Sequence, residues 1–93
     1  MIVGVMVLDL RSGNTHNLKD KRQLVRSLKE KLRRRFNVAV IESGHQDSWQ
    51  QAQISLVTIS LDQGLLDRIF SRIELFIDES YPMFAVSVDR EYL

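Results

Sequence analysis

Five cationic side chains recur along one stretch of the chain at spacings of three and four residues. They are Lys19, Arg22, Arg26, Lys29 and Arg33. On a helix with ~100° per residue, this spacing places all five within about 80° of arc, centred about 120° from the neighbouring apolar residues. The row, which we call the basic ridge, is about 20 Å long. A line of cations of this length indicates binding of a nucleic-acid phosphate backbone rather than catalysis.

The first turn of this predicted helix carries two of the lysines, Lys19 and Lys21. The helix dipole is already positive there, so a cation is mildly unfavourable and a phosphate group is attracted. We therefore expect Lys21 to bind anions together with the ridge residues. Arg34 and Arg35, in the last turn, are explained by the dipole alone. A solvated, charged helix face is the structural alternative for the whole run.

A second group of polar and aromatic residues lies in the segment "GHQDSWQ", residues 44–50. His45, Gln46 and Trp49 are candidates for a secondary binding loop beside the ridge. An Asp–His pair also suits acid–base chemistry, but no nucleophile or oxyanion donor accompanies His45 and Asp47. A turn that caps its own backbone is the simpler interpretation. We predict no catalytic residue.

The basic segment stands out because the 93-residue chain has a formal net charge of only +1. Nine of its 13 Lys and Arg residues lie between Lys19 and Arg35, opposed there by Asp20 and Glu30 alone. The chain has no cysteine and two histidines, so we expect no metal site and no cofactor. No apolar run is long enough to span a membrane. A single cytoplasmic domain covering residues 1–93 is expected.

Two alternating hydrophobic periods predict the elements that position these residues. Strands are predicted at 2–10, 38–43, 51–60 and 83–93 (regular over 83–90), and helices at 18–36 and 62–80. The order βαββαβ predicts an α+β, ferredoxin-like fold. Its four-stranded antiparallel sheet has the expected strand order 4-1-3-2, with both helices on one face.

This architecture restricts the known ways of binding RNA or phosphate. Strands 1 and 3 carry no aromatic residue, which argues against base stacking on the open sheet face. The loop after strand 1 contains Arg11, Gly13 and Asn14, but it lacks the Gly-rich loop and catalytic arginine of acylphosphatases. Heavy-metal domains of this fold need a cysteine pair and are excluded.

Apolar residues on both faces of strands 1 and 3 predict a homodimer. Val3, Val5 and Val7 alternate with Met6 and Leu8, although the helices cover one face only. The uncovered face is therefore expected to expose an apolar patch, and such patches usually mark interfaces.

Together, "NLKDKRQLVRSLKEKLRRRFNVAV" (17–40) and "GHQDSWQ" (44–50) resemble the YlxP-like family of small bacterial proteins. Members carry a "SLKDKR" motif, whose serine is replaced here by Asn17, and the resemblance covers essentially the whole chain. It implies a ferredoxin-like fold, a bacterial cytoplasmic protein and a domain of unknown function. The family's genes often neighbour genes of translation and ribosome maturation.

These observations lead to two functional expectations. The first is a non-enzymatic RNA- or ribosome-associated module that binds phosphates through the ridge and Lys21. The alternative is an oligomeric regulatory or interaction domain that binds a small anionic ligand or an acidic protein.

Overall fold

The computed structural model of the protein describes residues 1–13 and 16–93. Asn14, considered above as part of a phosphate loop, lies outside these residues. The elements are β1 (Ile2–Ser12), α1 (Leu18–Arg35), β2 (Ala39–Gly44), β3 (Gln51–Ser60), α2 (Gln63–Ser80) and β4 (Phe84–Tyr92). The predicted βαββαβ arrangement is therefore confirmed, with boundaries that differ by two residues or fewer.

One antiparallel sheet contains all four strands in the order β2-β3-β1-β4, which reads β4-β1-β3-β2 from its other edge. β1 pairs with β3 on one side and with β4 on the other, so that Val5 lies opposite both Val57 and Glu91. β2 and β4 are the edge strands. The β2–β3 ladder is interrupted by a bulge between Glu42 and Gly44.

Local capping determines where each helix begins. The side chain of Asn17 accepts a hydrogen bond from the Asp20 N–H at 2.9 Å at the start of α1. Asp62 accepts in the same way from the Gly64 N–H at 2.9 Å at the start of α2. Each bond satisfies one of the N–H groups that have no partner within the helix. α2 ends at Ser80, two residues before Pro82, as the sequence predicts.

Both helices pack on the same face of the sheet. Alternate residues of β1 (Met6, Leu8 and Leu10) are fully buried there. They share one core with buried residues of α1 and α2: Val25, Leu28, Leu32, Phe70, Ile73, Phe76 and Ile77. A Cβ atom on Gly4 would lie 2.9 Å from Cζ of Phe70, so the close approach of α2 to β1 requires a glycine there.

The sequence predicts an apolar face of α2 that includes Leu65, but this residue lies outside the core. Leu65 is 42% exposed, whereas Leu66, on the adjacent position, is fully buried. A wheel cannot separate two consecutive apolar residues at the margin of a stripe, because the packing partner decides which of them turns inward.

A polar cluster joins β4 to α2. The hydroxyl of Tyr92 donates to the Asp67 carboxylate, and the Arg90 guanidinium pairs with Glu74. Arg90 also lies 5.7 Å above the ring of Phe70. The hydrogen bond to Asp67, together with burial, raises the pKa of Tyr92 above its ordinary value. These contacts fix edge strand β4 at the side of the sheet opposite β2.

Candidate nucleic-acid interface

Four of the five ridge cations have no protein partner within the described residues. Lys19, Arg22 and Arg26 are exposed and Lys29 is half-buried. None of the ion pairs, hydrogen bonds or aromatic contacts recorded for residues 1–13 and 16–93 involves these four side chains. Their charge is therefore available to an external anion.

The fifth ridge residue, Arg33, is partly engaged by the protein itself. Its guanidinium donates a hydrogen bond of 3.0 Å to the carbonyl oxygen of Val40, on edge strand β2. Arg33 therefore lies against the strand edge, although its side chain remains exposed.

Two further cations of α1 lie over aromatic rings. The ammonium of Lys31 is 5.3 Å from the ring centre of Tyr81, and the guanidinium of Arg35 is 4.6 Å from that of Phe76. Such contacts contribute about 0.5–1 kcal/mol at exposed sites. Arg35 was assigned to the helix dipole alone, and the structure adds this packing role.

Lys21 does not lie on the solvent-facing surface that its predicted role as an anion ligand requires. It is 2% exposed, and its ammonium lies 2.8 Å from Oε2 of Glu42 on β2. It also donates a hydrogen bond of 2.8 Å to the carbonyl oxygen of His45. The Lys21 ammonium and the Glu42 carboxylate form an ion pair, but they are not aligned for a hydrogen bond. The attraction between the two groups is therefore electrostatic.

The helical wheel itself contains the signal for this burial. Lys21, Val25, Leu28 and Leu32 are spaced by four, three and four residues and form the buried stripe of α1. Lysine within an apolar stripe must find a counter-charge. The counter-charge comes from Glu42, 21 residues away, and no local pattern identifies it.

Lys21 also fixes the loop after β2. The carbonyl of His45 accepts bonds from Lys21 and from the Ser48 N–H, the latter at 3.0 Å. His45 has φ 58°, in the left-handed region that glycine usually occupies, and lies next to Gly44 in this turn. Gly44 has a different role, because a Cβ atom there would lie 2.6 Å from Oε1 of Gln53.

The ridge and the loop meet at a cavity of about 280 Å³. It is lined by Arg22, Val25, Arg26, Lys29, Glu42 and Gln46. The amide of Gln46 donates to the Glu42 carbonyl at 3.2 Å, which holds this side chain beside the cations. Because Lys21 compensates the carboxylate of Glu42, the cavity retains the charge of its three lining cations.

The other predicted loop residues are also accessible. His45 is exposed and Trp49 is 42% exposed. Within residues 1–13 and 16–93, no ion pair joins His45 to Asp47. A larger cavity, of about 480 Å³, lies near the ends of β1 and β3, around Arg11, Ser48 and Gln51. Among the residues that the structure describes, Arg11 is the one cation that lines it.

Two further features of the described part of the chain concern membrane spans and metal sites. Neither helix is long and apolar enough to cross a membrane. Residues 1–13 and 16–93 contain no group of three or more acidic, histidine or cysteine side chains placed to hold a metal ion.

The fold is shared with solved structures of low sequence identity. A de novo designed protein, Foldit4, is 16% identical and superposes with a TM-score of 0.60 over 98% of this chain and 97% of its own. A Thermus thermophilus protein described as a putative PII-like signaling protein is 15% identical, with a TM-score of 0.55 over all of this chain and 87% of its own. These similarities show the fold alone.

Sequence comparison connects the chain to a bacterial relative. The uncharacterised protein YlxP of Bacillus subtilis (strain 168) is 28% identical over 74 residues, which cover 80% of this chain and 79% of that protein. The model of the DUF503 family, described as a protein of unknown function, matches residues 3–90. The resemblance to YlxP-like proteins is thereby confirmed, and the chain belongs to the DUF503 family.

Proposed function

We propose that the protein is a non-enzymatic binding module that associates with RNA or the ribosome through the basic ridge on α1. The observation that carries the proposal is the set of four ridge cations with no intramolecular partner in the described chain. By contrast, Lys21, Arg33 and Arg35 on the same helix contact a carboxylate, a carbonyl or a ring of the protein itself.

The cavity on the ridge supports phosphate as the chemical group that is recognised. Arg22, Arg26 and Lys29 converge on about 280 Å³ of open space, enough for a phosphate group and its ordered water. Lys19 lies one helical turn away and extends the same charge toward the helix N-terminus. A ridge of about 20 Å can contact several successive phosphates of one strand, whereas a single small anion needs only the cavity.

The loop after β2 adds contacts that a backbone alone does not require. The Lys21 ammonium holds the backbone of His45 against α1, and the same loop carries Gln46 and Trp49. Exposed aromatic rings stack on unpaired bases, and amides bond to base edges. We therefore expect a preference for single-stranded or looped RNA over a regular duplex.

A triple substitution tests the ridge. Lys19→Gln, Arg22→Gln and Arg26→Gln together remove three charges from exposed helix positions, where glutamine is a comparable helix former. Binding to total bacterial RNA, measured by fluorescence anisotropy, should weaken at least tenfold, and co-sedimentation with ribosomes should decrease in parallel.

The chain offers a control with the same change in charge. Arg34→Gln, Arg68→Gln and Arg72→Gln remove three exposed cations outside the ridge, and this variant should bind almost as the parent does. Equal weakening by both triple variants would show that net charge, not the ridge, determines binding. Absence of binding by the parent protein would refute the proposal.

The alternative function, binding of a small anion or an acidic protein, has its own observation in the 480 Å³ cavity beside Arg11. A pull-down from bacterial lysate, with and without nuclease treatment, separates the two functions. Retention of a bacterial partner after nuclease treatment, with loss in an Arg11→Gln variant, would favour the alternative.

A further inference from the structure

The sheet face opposite the helices is divided into an apolar end and a polar end. The strand register places Val5, Val57 and Ala39 side by side across three strands, and the rows on either side add further apolar residues. Beyond Val7 along β1, Asp9 pairs with Gln53 and Arg11 with Gln51. The apolar end of this open face consists of Val3, Val5, Val7, Ala39, Ile41, Val57 and Ile59.

Two isoleucines of this apolar end are largely exposed to solvent. Ile41 is 61% exposed and Ile59 is 60% exposed. The patch continues past the ends of the strands to Met1, Leu61 and Leu93, which are 80%, 89% and 69% exposed. Contiguous apolar surfaces of this kind mark interaction sites.

Opposite charges flank the patch at its two edges. On β4, Glu91 lies beside Val5 and Asp89 beside Val7. At the other edge, Arg33 is bound to the carbonyl of Val40, between the rows of Ala39 and Ile41. The acidic edge and the basic edge therefore lie at the same level along the strands.

We propose that the open face binds a second copy of this chain in an isologous dimer whose two-fold axis runs along β3. An axis parallel to the strands keeps each row at its own level, so apolar rows meet apolar rows and polar rows meet polar rows. Val57 and Ile59 then face the same residues of the other copy. An axis across the strands through the middle of the sheet would instead place the apolar end against Asp9 and Arg11.

The same axis pairs the charged edges. With β3 over β3, the β4 edge of each copy projects beyond the β2 edge of the other, so Glu91 and Asp89 approach Arg33 of the second copy. This happens twice, once on each side of the axis. A surface that is apolar in its centre and complementary to itself at its rims is what an isologous contact requires.

The size of the face limits the area that the contact can bury. With β3 over β3, three strands of each copy overlap, and three strands by five rows measure about 15 Å by about 27 Å, so the contact covers roughly 400 Å² on each copy, or roughly 800 Å² in total. Specific interfaces of this size are at the weak end of their class. We therefore expect a reversible dimer that forms at micromolar concentrations, and one that leaves both α1 helices on the outside.

Sedimentation velocity of the nuclease-treated protein between about 1 and 500 µM tests the dimer. The parent should shift from monomer to dimer over this range, and Ile59→Lys should remain monomeric. Leu75→Lys is the matched control, because Leu75 is 57% exposed on α2, away from the sheet face. A parent that is monomeric throughout, or equal behaviour of the two lysine variants, would overturn the proposal.

Charge reversal tests the axis. Arg33→Glu alone and Glu91→Arg alone should each weaken dimerisation about tenfold, because each homodimer then contains two like-charge rims. An equimolar mixture of the two variants should form heterodimers as readily as the parent forms homodimers, since both rims are complementary again. Failure of the mixture to associate, with both variants folded by circular dichroism, would overturn this axis.

Discussion

At the scale of single residues, Lys21 shows how one segment of sequence serves two purposes. Its neighbours Lys19 and Arg22 are exposed, whereas its own ammonium is buried between Glu42 and the His45 carbonyl. A buried ammonium without these partners would cost several kcal/mol. The lysine therefore links the N-terminal turn of α1 to the end of β2 and to the following loop.

Removing Lys21 should be costly because the carboxylate of Glu42 stays behind. Lys21→Met is expected to lower the free energy of unfolding by about 3–5 kcal/mol, measured by urea denaturation. Adding Glu42→Leu should recover most of this loss, since both charged partners are then replaced by apolar groups of similar volume. Lys19→Met, in the same helical turn but exposed, should change stability by less than about 0.5 kcal/mol. Equal effects of the two Met variants would show that the buried pair contributes nothing.

At the scale of secondary-structure elements, the fold was predictable from hydrophobic period and caps, and the site was only half predictable. β3 begins and ends where the sequence predicts, and α1 and α2 end within one residue of prediction, because each has a regular period and a clear cap or breaker. The exposed ridge follows from the same wheel. The cavity does not, because it depends on Gln46 and Glu42 reaching α1 from another element.

The loop residue with a left-handed backbone is His45 and not the neighbouring glycine. Glycine is the usual residue at positive φ, so sequence favoured Gly44 over His45. In the structure the tertiary bonds to the His45 carbonyl stabilise the left-handed conformation, while Gly44 makes room for Gln53. Both choices depend on contacts between elements, which local propensity does not contain.

The attachment of β4 to α2 should depend on pH through Tyr92. Its pKa is raised above the unfolded value of 10.0, so the stabilisation is fully present below about pH 10 and is lost as pH rises through the folded pKa. Tyr92→Phe should be less stable than the parent by about 1 kcal/mol below pH 10. This difference should shrink as the pH of urea titrations is raised above about 10. Asp67→Asn should reduce the pH dependence, since the amide accepts the bond without a negative charge. A stability difference between Tyr92→Phe and the parent that stays constant with pH would contradict this assignment.

At the scale of the whole molecule, the two proposed surfaces share only Arg33, which belongs to the ridge and lies at the β2 rim of the open face. The helices cover the other face of the sheet, so α1 presents the remaining four ridge cations away from the open face. A dimer through the open face would carry two outward ridges. Joining two sites in one particle raises avidity for a long strand without any new contact.

The dependence of the RNA association constant on salt concentration should distinguish binding through the charged ridge from binding through uncharged groups. Four phosphate contacts predict that the logarithm of the association constant falls with the logarithm of salt concentration with a slope of about −3 to −4. The triple Gln variant lacks three phosphate contacts, so its binding releases fewer counterions from the RNA. Its slope should therefore be shallower than that of the parent by about 2–3 units. Anisotropy titrations between about 50 and 300 mM KCl measure both slopes, and identical slopes would exclude the ridge as the contact surface.

Arg33 at the edge of β2 has a consequence for the behaviour of the protein at high concentration. An uncovered strand edge is a template on which further chains add without limit. β2 has six residues, its ladder is broken by a bulge, and one of its carbonyls is bound by a guanidinium. Face-to-face association is thus available, while edge-to-edge growth through β2 is obstructed.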